Sequence, residues 1–253
     1  MELASARQRR HRQPLGRSLA QIAPHIPLIL CCCSSIVPFL WMLMASFRNY
    51  KELVTSRSFF PQVWTLKNYQ DIITRVNFPV AFKNSVIAAI SVTVVMVLTS
   101  SALGFVFAKY RFWGKEQLFT ILLSTMMVPF AVVLVPLYLT VGKLGLINQL
   151  GGIIVTGFWS TFGVFMMRQF METIPTEIID AARIDGAGEP RIFFTIVIPM
   201  ASAPMAALAT FGFMDNWDSF LWPLVVLNSP NKQTIPLIIA GLRSLFWTRY
   251  ELW

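Results

Sequence analysis

Residues 173–199 read Thr-Ile-Pro-Thr-Glu-Ile-Ile-Asp-Ala-Ala-Arg-Ile-Asp-Gly-Ala-Gly-Glu-Pro-Arg-Ile-Phe-Phe-Thr-Ile-Val-Ile-Pro. Pro175 and Thr176 suit a helix start, and Glu177 and Asp180 place negative charge near its first turn. Asp180 and Arg183 are spaced to pair at i,i+3. Gly186 supplies the left-handed residue that ends such a helix, and Pro190 fits the first turn of a second one. The spacing therefore predicts a short helix, a glycine turn and a second helix running on through Ile192, Phe193 and Phe194. Ala181 and Ala182 are expected to give the first helix a flat side that another protein surface approaches closely.

Outward from this stretch the chain is strongly apolar. It is 55% hydrophobic and 13% charged, against about a quarter charged in an ordinary soluble domain. Charge-free windows lie at 26–47, 84–108, 117–142, 144–167 and 192–214, each about 22 residues or more. That length crosses a hydrocarbon core as a helix, the only open-chain structure that satisfies its own backbone there. Five helical spans are expected. The first is too long for a signal-peptide apolar region and lacks a small-x-small cleavage signature, so it is read as retained. Cys31, Cys32 and Cys33 fall inside it and read as ordinary lipid- or helix-facing side chains, since adjacent helix positions point apart.

The net charge of +9 owes much to Arg7, Arg9, Arg10, Arg12 and Arg17. This arm, 1–25, has no aromatic residues interleaved, so a nucleic-acid partner is not expected. It reads as a cytoplasmic anchor, with membrane lipid beyond it. The N-terminus is then inside, 109–116 and 168–191 face the cytoplasm, and 48–83, 143–150 and 215–253 face outward. The short connections agree, with Lys109, Arg111 and Lys115 inside against only Lys143 outside. Phe59, Phe60, Trp64, Tyr69 and Phe78 in the outer loop 48–83 read as interfacial residues or as contacts for an outside partner.

Asp180-Ala181-Ala182, Asp185-Gly186-Ala187, and then Ile196, Ile198 and Pro199 closely resemble the EAA loop of ABC-importer permeases. Asp180 stands where the family usually has Glu, which keeps the charge. The resemblance implies an all-α membrane protein, a polytopic helical bundle of the type I ABC-importer permease fold. It implies that Glu177, Asp180, Ala181, Ala182, Asp185, Gly186 and Ala187 form the coupling element seated on a separate ATPase. Transmembrane domain 84–214 would then contain that loop as 173–199.

The likeness runs along nearly the whole chain. Asn84-Ser85, Met127, Pro129, Pro136-Leu137-Tyr138, Leu144-Gly145-Leu146 with Asn148, and Trp217 with Phe220-Leu221-Trp222-Pro223-Leu224 resemble the carbohydrate type, and within it the maltose-permease-G-like or glycerol-3-phosphate-permease-E-like subunit. That class implies a second, different permease, two ATP-binding subunits and an extracytoplasmic solute-binding protein, in a bacterial or archaeal cytoplasmic membrane. ATP and Mg would sit on the ATPase, with no cofactor in this chain. The family usually has six spans, so the final span is expected to be missing after Trp253, in a truncated chain or a five-span variant. Glycerol 3-phosphate or amino acids are alternative solutes, and a non-transporting scaffold that binds an ATPase is an alternative role.

Two further groups stand out. Asp215 and Asp218, beside Trp217 and Trp222, are candidates for the solute path, because carboxylates accept from sugar hydroxyls and aromatic faces stack on sugar rings. Interfacial anchoring is the competing reading of the same residues. Asn228, Ser229, Pro230 and Asn231 read as an outer turn, placed by the resemblance against the solute-binding protein. An enzyme is not expected. There is no Gly-x-x-x-x-Gly-Lys-Ser/Thr phosphate loop, and His11 and His25 are the only histidines, both near the N-terminus. Pro129 and Pro136 are expected to interrupt helices.

Overall fold

The computed structural model describes residues 25–75 and 77–247. The basic arm before His25 and the last residues before Trp253 lie outside that range. The chain divides into two compact units, Met1–Ile72 and Ile73–Trp253.

In the first unit, α1 spans His25–Ser46 and contains Pro38. Leu28, Ile29, Leu30, Ile36, Phe39 and Trp41 are exposed, and so are Cys31, Cys32 and Cys33. A helix whose apolar side chains are exposed as far as Leu43 suits lipid or a neighbouring subunit. After it, α2 (Tyr50–Thr55) starts at Asn49, whose side chain accepts from the Glu52 amide. α3 follows at Lys67–Arg75. The intervening loop is stapled by Glu52, which is buried, lies 3.8 Å from the buried Arg48, and accepts from the Gln62 amide at 2.6 Å. Of the aromatic residues expected in this loop, Trp64 and Tyr69 pack on Phe47, at 5.4 and 5.6 Å between ring centres.

The second unit is organised by α4, Phe78–Lys109. Its 32 residues make it about 48 Å long. Among the residues it buries, small ones recur along its length: Ala81, Ser85, Ala88, Ala89, Ser100, Ser101 and Gly104. The small side chains let other helices approach closely. At Gly104 a Cβ atom would stand 2.6 Å from the Cβ of Met167, a clash that only glycine avoids.

The expected span at 117–142 is bent rather than straight. α5 (Lys115–Ser124) passes through a short 3-10 turn at Thr125–Met127, and α6 (Phe130–Lys143) leaves at 103°. Pro129 is the cause: it holds Val128 in extended backbone, at φ −85° and ψ 115°, and so ends the preceding helix. Pro136, also expected to interrupt, lies within α6, which continues past it.

The expected span at 144–167 is not one helix. Gly145 and Asn148 adopt left-handed backbone, at φ 69° and 61°, which delays the helix to α7 (Leu150–Ile154), and residues 155–160 are non-helical again. α8, Thr161–Glu172, begins at Ser160, whose hydroxyl accepts from the Gly163 amide. The expected span at 192–214 is a second bent pair, α10 (Glu189–Met200) and α11 (Ser202–Trp217), meeting at 80°. Within α10, Phe193–Val197 forms a π-turn. Instead of the five spans expected, the described residues hold two helices long and apolar enough to cross a membrane, or four if each bent pair is one span. α12 (Leu221–Val226) and α13 (Ile235–Trp247) complete the fold.

Two apolar clusters sit at different levels of α4. One joins Met96, Val97 and Phe105 to Met167, Met171, Ile174, Ile179, Ile192, Val197, Ala201 and Leu208. The other joins Ala88 and Val92 to Val141, Ile153, Trp222, Val226, Leu227 and Leu237. The first supports the segment 173–199, and the second supports the segment after Trp222.

Candidate functional site

α9 spans Thr176–Ile184, with Pro175 immediately before it. It ends in a turn whose hydrogen bonds satisfy carbonyls the helix would otherwise leave open. Gly186, at φ 81°, donates to Arg183 at 3.0 Å, and Ala187 donates to Ala182 at 2.9 Å. This is the Schellman arrangement, which needs a left-handed residue at the position of Gly186. α10 begins directly after, at Glu189-Pro190.

The turn is anchored from below. Ile179 and Ile192, on its two limbs, are fully buried in the first cluster, and Ala182 and Ala187 pack against it half-buried. Ala181 and Ala182 therefore do not form one flat side: Ala182 faces the core and Ala181 faces out. The outward ridge is Glu177, Ile178, Asp180, Ala181, Ile184 and Asp185. Ile184 is 88% exposed, so the outward ridge ends in an apolar side chain.

Asp180 and Arg183 pair at 2.9 Å, and Arg183 also reaches Glu189 at 2.8 Å across the turn. Tyr110, just past the end of α4, donates its hydroxyl to the other Glu189 oxygen. Burial, then the bond to Glu189, pushes the Tyr110 phenol above its ordinary value. Glu189 likewise holds Arg183 above the ordinary arginine range. Lys109 donates to the Ile174 carbonyl, at the entry to the same segment. Sequence spacing gives Tyr110 and Glu189 no role in this segment and marks Lys109 only as a cytoplasmic charge. Nearby, Arg168 is almost buried, donates to Glu116 at 3.1 Å and Glu172 at 2.8 Å, and lies 3.9 Å over the Phe119 ring.

Asp215 falls in the last turn of α11 and Asp218 caps it. Both line two adjoining cavities of about 510 Å³ each. Ser160, Phe162 and Phe211 face one; Thr156, Asn216, Ser219 and Phe220 face the other. Trp217 lines neither. It stacks on Phe213 at 5.6 Å and meets Phe82 edge-on at 5.9 Å. Trp222 reaches one cavity, but its ring is 7% exposed in the second cluster and its N–H points to the Gly152 carbonyl at 3.4 Å. The aromatic surface beside the carboxylates thus comes mainly from phenylalanines.

The turn 228–231 is held from two sides. The Asn148 side chain accepts from the amides of Asn228 (3.1 Å) and Ser229 (2.9 Å) and donates to the Ser229 hydroxyl at 2.6 Å. The buried Asn84 amide donates to the carbonyls of Asn231 (3.1 Å) and Gln233 (3.0 Å). Ser85 accepts from Ile235 at 2.8 Å. Asn228, Pro230 and Asn231 remain exposed.

Residues 100–248 match the family described as binding-protein-dependent transport system inner membrane component. The chain belongs to that family. This permease is 35% identical over 236 residues to the lactose transport system permease protein LacG of Rhizobium radiobacter, covering 93% of this chain and 86% of the relative. It is 34% identical over 222 residues to the diacetylchitobiose uptake system permease protein NgcG of Streptomyces coelicolor, covering 87% and 74%. It is 35% identical over 222 residues to the arabinooligosaccharides transport system permease protein AraQ of Halalkalibacterium halodurans, covering 86% and 80%. The fold matches a crystal structure of a bacterial ABC transporter involved in the import of the acidic polysaccharide alginate, with TM-score 0.74, 21% identity, and 95% and 81% of the two chains covered. The permease is a multi-pass membrane subunit of an ABC importer.

Proposed function

We propose that this permease moves a neutral sugar or oligosaccharide across the cytoplasmic membrane by alternating access, after delivery by a solute-binding protein. The names of the similar permeases, for lactose, diacetylchitobiose and arabinooligosaccharides, support the carbohydrate class. The observation that carries the mechanism is the Schellman-closed turn at Gly186, anchored by Ile179 and Ile192 while Ile184 and Ala181 face out. A rigid knob with an exposed apolar tip suits a cleft on a partner protein.

That partner is a nucleotide-binding subunit, present twice, which holds ATP and Mg and performs the hydrolysis. A second, different permease completes the pathway, and the N-terminus lies in the cytoplasm. The cavities at Asp215 and Asp218 supply the polar and aromatic surface a sugar needs, and the clamped turn 228–231 is the contact for the binding protein. Reconstitution with the partner permease, ATPase and binding protein in liposomes tests this reading. ATP-dependent uptake of a labelled oligosaccharide is expected; hydrolysis stimulated only by a non-carbohydrate solute would contradict it.

A further inference from the structure

Tyr110 occupies the first position after α4, and its amide still donates to the Val106 carbonyl at 3.1 Å, so the helix end fixes where the ring points. The ring meets Phe105 edge-on at 5.5 Å, and Phe105 lies 5.7 Å from Phe193 in the π-turn of α10. The hydroxyl donates to Glu189, which starts α10, and the Arg183 guanidinium of α9 lies 5.7 Å over the same ring. One side chain thus touches both limbs of the turn. The Arg183–Glu189 pair by itself is too exposed, 34% and 42%, to hold a geometry firmly against solvent. A phenol bonded to the carboxylate, with its ring over one side, adds direction and excludes water.

We propose that Tyr110 is a positioning residue that locks the Gly186 turn to the end of α4, so that a push on the turn displaces α4 instead of flexing the loop. The proposal rests on the reading of that turn as the contact for the ATPase. α4 is the element through which such a displacement travels, because Met96, in the same apolar cluster as Phe105, lines the cavity that holds Asp215 and Asp218. Packed side chains and a rigid helix carry displacement where a solvated loop does not.

The test uses the complete complex in liposomes, comparing wild type with Tyr110→Phe, Glu189→Gln and the double variant. The readouts are ATPase retained through purification and solute imported per ATP hydrolysed. Tyr110→Phe keeps the ring and its packing, so ATPase retention should be unchanged while import per ATP falls about fivefold or more. The double variant should be no worse than the more affected single one, because both remove the same link. Unchanged import per ATP in Tyr110→Phe would overturn the proposal, as would effects that multiply in the double variant. If Tyr110→Phe lowers the yield of complex, Glu189→Gln is read on the same ratio, and a normal ratio there also overturns it. A wild-type complex that neither retains an ATPase nor imports solute would refute the coupling reading itself, and the proposal would fall with it before any variant is compared.

Discussion

The amide of Ala187 donates to the carbonyl of Ala182 at 2.9 Å, across a turn that Gly186 closes at φ 81°. Beyond Gly186 and its two chain neighbours, no heavy atom of the described residues lies within 4 Å of the position a Gly186 Cβ would take. A substitution there meets no steric neighbour, so its cost is the backbone conformation alone. Gly186→Ala should cost about 1 kcal/mol of local stability. Hydrogen exchange at the amides of Gly186 and Ala187 checks this, with faster exchange expected in the variant and unchanged rates elsewhere in α4.

Ile184 and Ile179 lie on the same short helix but should respond oppositely. Ile184 is 88% exposed and Ile179 is fully buried. Ile184→Glu should leave the yield and melting of the permease unchanged while weakening retention of the ATPase. Ile179→Ala should destabilise the permease by about 2–4 kcal/mol through the cavity it leaves. Thermal stability and copurification, measured on both variants, separate the two effects.

At Gly104 the neighbouring Met167 Cβ would be only 2.6 Å from an added Cβ. Gly104→Val must push α4 and α8 apart or distort both. Overpacking of this kind costs about 1–3 kcal/mol. A lower melting temperature of the detergent-solubilised complex is expected; unchanged melting would show that the helices separate without loss.

Asn148 holds the turn at 228–229 through its side chain while occupying a left-handed backbone position. Asn148→Gly retains the backbone freedom and removes all three side-chain bonds. Import driven by the binding protein should fall, while retention of the ATPase stays unchanged. Deleting 228–233 should do the same more severely. Normal import in both would remove this turn from the binding-protein contact.

Asp215→Asn and Asp218→Asn keep the size of the side chains that line the cavities and remove their charge. Carboxylates accept stronger hydrogen bonds from hydroxyls than amides do, by about 1 kcal/mol. The double variant should raise the half-saturating sugar concentration for import severalfold without changing basal ATP hydrolysis. An unchanged concentration would make these carboxylates ordinary residues of the water-facing boundary.

Part of the fold was visible in the distribution of charge: the charge-free windows 26–47 and 84–108 correspond to the long apolar helices α1 and α4. The bends were less visible. Pro129 and Pro136 look equivalent in sequence, yet only Pro129 ends a helix, since Pro136 lies within α6 and the helix runs past it. Gly145 and Asn148 take left-handed backbone and keep the start of 144–167 out of a helix, which an apolar window conceals, and a second break follows at 155–160.

The turn at Gly186 and the Asp180–Arg183 pair follow from local spacing, and the structure contains both. The link from Arg183 to Glu189 crosses a turn at a separation of six residues, outside any helical register, and Tyr110 is far away along the chain. Ala182 was misread because its orientation is set by the cluster beneath it, which only the folded chain assembles. Trp217 and Trp222 looked like sugar-stacking surfaces, but their neighbours Phe213, Phe82 and Phe130 occupy those faces and edges.

The central claim, that the turn at Gly186 couples hydrolysis to movement, is tested most directly by import per ATP in Gly186→Pro. Proline cannot take the φ of 81° and removes the amide that bonds Arg183. With the complex reconstituted in liposomes, hydrolysis is expected to persist while ATP-driven import of oligosaccharide is lost. Import per ATP equal to that of the wild type would contradict the coupling role.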